Sequence, residues 1–373
     1  MKLRRWFESA AEGLQPGAWH EAFVRLAYWL GPWSATRTPQ GVRRIEVEFG
    51  ATRGLIFEGA RAPTATYLVL PGLHYAGPDD PRLDRFCRIL AASGFRVVAP
   101  FIRSFSSLVL EPSAFDDARA ALSYAQAQAA QRGHPAPAIF SISFGSRLAL
   151  ELACSEQPPG ALLLFGGYAE FIPTVRFAVT GRCEPSSAPF ESHRDPLNPP
   201  VVFLNLLPEL DVSDKPLLAN AWIEMVKATW GQTELKQEDR RRPHAERIAQ
   251  ALPEHLQEPF LRGCCLSEGA NAWLEDGLER ARQRLAYLDG RAAARRARCK
   301  VIVVHGRDDD VIPFTESEKL AQCLATDAFQ ALHLTGLYGH TATTAPSPAQ
   351  LAREASTLAQ MIAHVAKAPN GKL

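Results

Sequence analysis

Ala138-Ile139-Phe140-Ser141-Ile142-Ser143-Phe144-Gly145-Ser146-Arg147-Leu148-Ala149-Leu150-Glu151-Leu152-Ala153 is the stretch on which the fold turns. Ala138 to Phe140 is a short apolar run that reads as a buried strand, and Ser146 to Ala153 reads as a helix. Ser141-Ile142-Ser143-Phe144-Gly145 is left as a tight turn carrying a serine. A serine in that place projects from the carboxyl end of a strand, and the next residue's N–H lies at the positive end of a helix. Ser143 is therefore a candidate nucleophile. The motif alone is weak, since a (Gly or Ser)-x-Ser-x-Gly match arises by chance about 0.25 times in a chain of this length. Its stricter form carries Gly at the first position, and here Ser141, the next smallest residue that could fit, stands there. An ordinary helix N-cap is the plainer reading of an isolated Ser143.

Outward from this turn, strands and helices alternate. Upstream, Arg43 to Phe49 alternates at period two, Gly54 to Glu58 follows, and Thr66 to Leu70 is a buried strand ending in Pro71-Gly72. A helix over 81–93, a strand over 95–100 and a helix over 114–131 lead to the serine turn. Downstream, Ala161 to Phe165 is a strand, after which the alternation stops until Cys299 to Val304. Phe329 to Leu334 and a helix over 348–366 close the chain. Alternation of this kind predicts right-handed crossovers and a mainly parallel sheet. Between 168 and 298 the pattern is helical, with helices over 214–230 and 272–290. Pro199 to Leu207 is too apolar for a solvent-facing loop, so it packs on the sheet domain or walls a cleft. The expected division is an accessory helix in 1–40, a sheet domain in 41–167 and 299–373, and a helical insertion in 168–298.

Composition narrows the partners. The 373 residues carry 41 basic and 40 acidic side chains, a net charge of +1, so no global field recruits nucleic acid or an anionic surface. The arginines at 240–242 and across 291–298 read as solvated helix faces. Seven cysteines without C-x-x-C spacing argue against a disulfide framework and against a zinc site. No Gly-x-Gly-x-x-Gly or Walker pattern is present, so the expectation is no cofactor and no metal. The leader holds Trp6, Trp19, Trp29 and Trp33, with Trp19, Phe23, Leu26 and Leu30 at helical spacing. Packing on the protein's own core is the plain reading. A peripheral membrane or homodimer contact, helped by Lys2, Arg4 and Arg5, is the sharper one. With neither a signal-peptide h-region nor an 18-residue apolar run, the expected location is cytoplasmic.

A serine near pH 7 needs a base and an oriented partner for that base. Arg307-Asp308-Asp309-Asp310 follows the strand that resumes at 299, and Gly339-His340 follows the last strand. Both stand at carboxyl strand ends, where open α/β sheets form their ligand crevice. Serine, acid and histidine in that order resemble the α/β-hydrolase family over about residues 65–167 and 299–366. The resemblance implies a mainly parallel sheet of the eight-stranded type flanked by helices, with a helical cap after the sixth strand. The family's Gly-x-x-Asp-x-x-x-Pro loop maps onto Gly306 to Pro313 and selects Asp309, with Asp308 and Asp310 as alternatives. His340 would then be the base. Pro71-Gly72-Leu73-His74-Tyr75 resembles the family's His-Gly loop, with Pro in place of His. The backbone N–H groups of Leu73 and Phe144 would meet an oxyanion, and His74 and Tyr75 would reach the substrate, although a satisfied surface histidine is the plainer reading of His74. The implied activity is hydrolysis of a small-molecule carboxylic ester. Amide or peptide cleavage, acyl transfer, a membrane-associated lipase and a non-catalytic binding protein are the competitors. His305 and His333 read as packing residues within strands.

Overall fold

A computed structural model describes residues 18–30, 37–183, 194–336 and 348–373. His340, Trp6 and Trp33 lie outside the described residues. Eight strands form one sheet: β1 Arg43–Phe49, β2 Thr52–Glu58, β3 Ala65–Leu70, β4 Phe95–Pro100, β5 Ala138–Ile142, β6 Ala161–Phe165, β7 Lys300–Gly306 and β8 Phe329–Thr335. Their spatial order is β1-β2-β4-β3-β5-β6-β7-β8. β2 runs antiparallel to both of its neighbours, and every pairing from β4 to β8 is parallel. The burial pattern follows from this. Every residue of β3 and β4 is buried because helices cover both faces at the centre, whereas β1 at the edge exposes its first four residues.

Apolar side chains leave the sheet in two layers. One holds Tyr67, Val69, Ala138, Phe140 and Leu163 against α1 (Ala18–Leu30), α2 (Pro81–Ala92) and α13 (Pro348–Lys367). The other holds Leu68, Leu70, Ile139, Leu162 and Leu164 against α3 (Ser113–Gln131), α4 (Gly145–Ala153) and α12 (Phe314–Cys323). Helix α1 is thus part of the core: Trp19, Phe23 and Leu26 are buried, and Lys367 places its Nζ 4.6 Å from the centre of the Trp19 ring. Val24 and Tyr28 remain exposed on its outer side.

Between β6 and β7 every described element is helical. α5 (Phe171–Thr180), α6 (Pro199–Leu206), α7 (Lys215–Thr229), α8 (Glu238–Gln250), α9 (Glu254–Gly263), α10 (Ala270–Ala281) and α11 (Arg291–Arg295) follow in order. Their apolar residues are continuous with the second layer of the sheet core. The apolar run at 199–207 is a helix started by two prolines, buried along its whole length. Its Asn205 accepts from Leu110 N–H at 2.7 Å and donates to Leu108 and Val201 carbonyls at 2.9 Å, which ties α6 to the loop before α3.

Two expectations need correction. The helix expected over 272–290 stops at Ala281, and Leu285 and Leu288 are buried from a turn and the short 3-10 helix Ala286–Leu288 that follow it. Arg284 explains the break, because it bonds the Glu209 carboxylate at 2.6 Å and the Asn205 carbonyl at 2.7 Å and so draws this stretch onto α6. In the basic run at 240–242, Arg241 is buried rather than solvated and donates to the Lys236 carbonyl at 3.1 Å.

Candidate active site

Ser143 sits on the turn between β5 and α4 with φ +52°, in the left-handed region that side chains disfavour by about 1–2 kcal/mol. Its N–H donates to the Phe165 carbonyl of β6 at 2.8 Å, so the neighbouring strand holds the strained residue in place. The turn also needs space. A Cβ on Gly145 would stand 2.5 Å from the Pro71 carbonyl oxygen, so only glycine fits against the loop after β3. No such conflict exists at the first position of the motif, where Ser141 is accommodated with 0% exposure. Its Oγ has no hydrogen-bond partner among the described residues. Ser141 therefore leaves the backbone of the elbow intact and buries a hydroxyl that no described residue satisfies.

The N–H groups of Leu73 and Phe144 donate to no backbone or side-chain group among the described residues. Leu73 lies in the loop after β3, and Phe144 is the residue before α4, at the positive end of that helix. Both line, with Ser143, a cavity of about 640 Å³, within the usual range for a small-molecule site. Val201, Val202 and Leu206 of α6 and Phe171 and Val175 of α5 form its apolar roof.

His74 and Tyr75 line the same cavity. His74 is not a surface histidine: its ring stacks at 4.5 Å on Tyr75 and at 5.3 Å on Trp230, the residue that ends α7. Its Nδ1 accepts from the Ala76 N–H at 3.1 Å, and its Nε2 faces Asp80 at 3.4 Å, so the proton sits on Nε2. Burial holds the ring below the ordinary histidine range, against the pull of Asp80 in the other direction. Asp80 is itself fixed as the N-cap of α2, accepting from Arg82 N–H at 2.9 Å.

The three consecutive aspartates are separated by their surroundings. Asp308 is exposed. Asp310 pairs with Lys236, which also reaches Asp195 at 3.1 Å. Burial pulls the Lys236 ammonium down, but the Asp310 and Asp195 carboxylates outweigh it and hold the group above the ordinary lysine range. Asp309 alone is buried, with Oδ1 accepting from the N–H groups of Val311 and Ile312 at 2.9 Å each. His305, expected only to pack, lies fully buried beside it. Trp230, Asp195 and Lys236 reach the cavity from the segment between β6 and β7, where no motif announced them. Among the described residues no group of three or more His, Cys, Asp or Glu side chains could hold a metal ion. No helix among them is long and apolar enough to cross a membrane.

No protein-family model matches the sequence, and no curated protein matches it. Solved structures do resemble the fold. An esterase from Pyrococcus furiosus is 10% identical with a TM-score of 0.48, over 88% of this chain and 91% of that one. An acylaminoacyl peptidase from Pyrococcus horikoshii is 12% identical with a TM-score of 0.44, over 88% of this chain and 42% of that one. The chain thus spans less than half the length of that peptidase. A 2-hydroxy-6-oxo-6-phenylhexa-2,4-dienoate hydrolase from Rhodococcus is 18% identical with a TM-score of 0.41, over 85% of this chain and 99% of that one. Identities this low say nothing of substrate. The strand order, the antiparallel β2 and the serine elbow between β5 and α4 make this an α/β-hydrolase fold.

Proposed function

We propose that this chain is a serine hydrolase that cleaves a neutral carboxylic ester with an apolar acyl group. One observation carries the reading: Ser143 is held at φ +52° and lines a cavity together with Leu73 and Phe144, whose N–H groups bond no protein group among the described residues. A strained serine in a cavity that also offers two unbonded backbone N–H donors is an arrangement acyl transfer can use. In this mechanism His340 takes the Ser143 proton as Oγ attacks the ester carbonyl, and Asp309 fixes the imidazole tautomer and stabilises its cation. The oxyanion that develops is met by the two N–H groups. Collapse expels the alcohol with the proton from His340, and water releases the acyl group by the same steps in reverse roles.

The roof supports the choice of substrate. Val175, Val201, Val202 and Leu206 offer apolar surface without a charged group. Each methylene buried there would add about 0.8 kcal/mol to transition-state binding. Lys236 stands between two carboxylates, so that wall has no net positive charge to attract an anionic acyl group. Ser143→Ala tests the reading. The wild-type protein should hydrolyse p-nitrophenyl esters and be labelled by a fluorophosphonate, and the variant should lose both. Equal labelling of the variant removes Ser143 from the chemistry; an unreactive wild type makes the cavity a binding site only.

A further inference from the structure

His305 occupies the penultimate position of β7 and is completely buried, with 0% exposure. Nothing in the proposed reaction uses it. Its Nδ1 lies 2.6 Å from the hydroxyl of Ser317 on α12, which also reaches the Gly167 carbonyl at 3.1 Å. Its Nε2 lies 2.9 Å from the Ile312 carbonyl and 3.2 Å from Oδ2 of Asp309. Both groups facing Nε2 are acceptors, so that nitrogen carries a proton. A ring turned over would present carbon to the Ser317 hydroxyl, the Ile312 carbonyl and Asp309 and lose all three contacts. Asp309 is thus surrounded by N–H groups from its own loop on Oδ1 and faced by an imidazole N–H on Oδ2.

We infer that His305 is a positioning residue for Asp309: it holds the 309–312 turn through the Ile312 carbonyl and presents its Nε2–H to the carboxylate. In a water-poor interior a carboxylate is sensitive to the donors around it, and its orientation decides what it can do for a partner histidine. A ring locked between Ser317 and Ile312 supplies that orientation from a rigid strand rather than from the loop itself. The inference rests on reading Asp309 as the acid of a serine hydrolase.

A residue that merely supports the fold would act independently of the Asp309 charge. One that acts through the carboxylate would not, and a double-mutant cycle separates the two. The full-length protein is assayed on a p-nitrophenyl ester as wild type, His305→Met, His305→Gln, Ser317→Ala and Asp309→Asn, and as His305→Met and Ser317→Ala in the Asp309→Asn background. His305→Met should lower kcat by about 10- to 100-fold with KM within about 3-fold, as loss of an outer partner of a reacting group does. His305→Gln, which can place an N–H near the position of Nε2, should recover most of that loss. Ser317→Ala leaves the imidazole in place and frees its Nδ1; it should lower kcat about 3- to 10-fold and serves if His305→Met does not fold. In the Asp309→Asn background each further change should cost less than about 2-fold. The same fold loss in both backgrounds overturns the inference, as does a folded His305→Gln no more active than His305→Met. If the wild type hydrolyses no ester and takes up no fluorophosphonate, the hydrolase reading falls and this inference with it. If the wild type reacts and the cycle shows no coupling, only the inference falls.

Discussion

Gly145→Ala should cripple turnover while leaving the cavity open. An added Cβ at this position would lie 2.5 Å from the Pro71 carbonyl oxygen and 3.2 Å from the Pro71 carbonyl carbon. Ordinary contact begins at 3.4 Å, so the loop after β3 must retreat by about 0.9 Å (3.4 − 2.5). That loop carries Leu73, two residues on. In the proposed reaction its N–H meets the oxyanion, and a shift near 1 Å in such a group costs about 100-fold, which is about 2.7 kcal/mol of barrier. The overpacking itself should cost about 1–3 kcal/mol of stability. Gly72→Ala is the matched control: its Cβ would come within 3.2 Å of the Ser143 Cβ and 3.3 Å of the Ile142 carbonyl, a conflict of about 0.2 Å (3.4 − 3.2). The assay is kcat and KM on a p-nitrophenyl ester, with the rate of fluorophosphonate labelling and thermal unfolding alongside. Expected is a loss in kcat of about 100-fold for Gly145→Ala and a much smaller one for Gly72→Ala, with KM within about 3-fold in both. A Gly145→Ala protein within about 3-fold of wild type would refute the argument that this contact sets the position of the loop.

Two further outcomes follow from buried polar groups. Ser141→Ala removes a hydroxyl that has no partner among the described residues and keeps its Cβ, so the unfolding free energy should rise by about 1 kcal/mol; a loss of stability in chemical denaturation would mean that the hydroxyl is satisfied. His364 on α13 bonds His333 of β8 at 3.0 Å, and burial first, then the charges of His333 and Lys367, holds it down at about 4. The folded value lies below the unfolded value of about 6.5, so the unfolded chain takes up the proton first as pH falls. The pair's contribution is therefore complete above about pH 6.5 and is lost progressively towards pH 4, by about 1–2 kcal/mol after allowing for solvent at this half-buried site. His364→Gln should flatten the fall in unfolding free energy between pH 7 and pH 5, and an unchanged slope would exclude the pair as its cause.

Much of the fold is legible in local pattern. The runs at 65–70, 95–100 and 161–165 are apolar apart from Thr66 and Arg96 because both of their faces are covered, and a parallel sheet is what covers both faces. The elbow is legible for a similar reason: a strand, a small-residue turn and a helix occupy adjacent positions in the chain, so neighbours in sequence decide it. The loop resemblance favours Asp309 and leaves Asp308 and Asp310 as alternatives; the surroundings of the three separate them further. Three adjacent carboxylates look alike in sequence, and burial, Lys236 and the Val311 and Ile312 N–H groups tell them apart.

Periodicity reports how each residue stands relative to its own element, and that is what the sequence by itself determined here: strands, helices, their alternation and a serine on a sharp turn. Which distant elements converge depends on the crossovers and on the packing of side chains from separate helices. Trp230 on His74 and Lys236 between Asp195 and Asp310 join residues that no local pattern links. The tertiary structure alone decided the roof of the cavity and the surroundings of Asp309, because desolvation and hydrogen bonding act across space rather than along the chain.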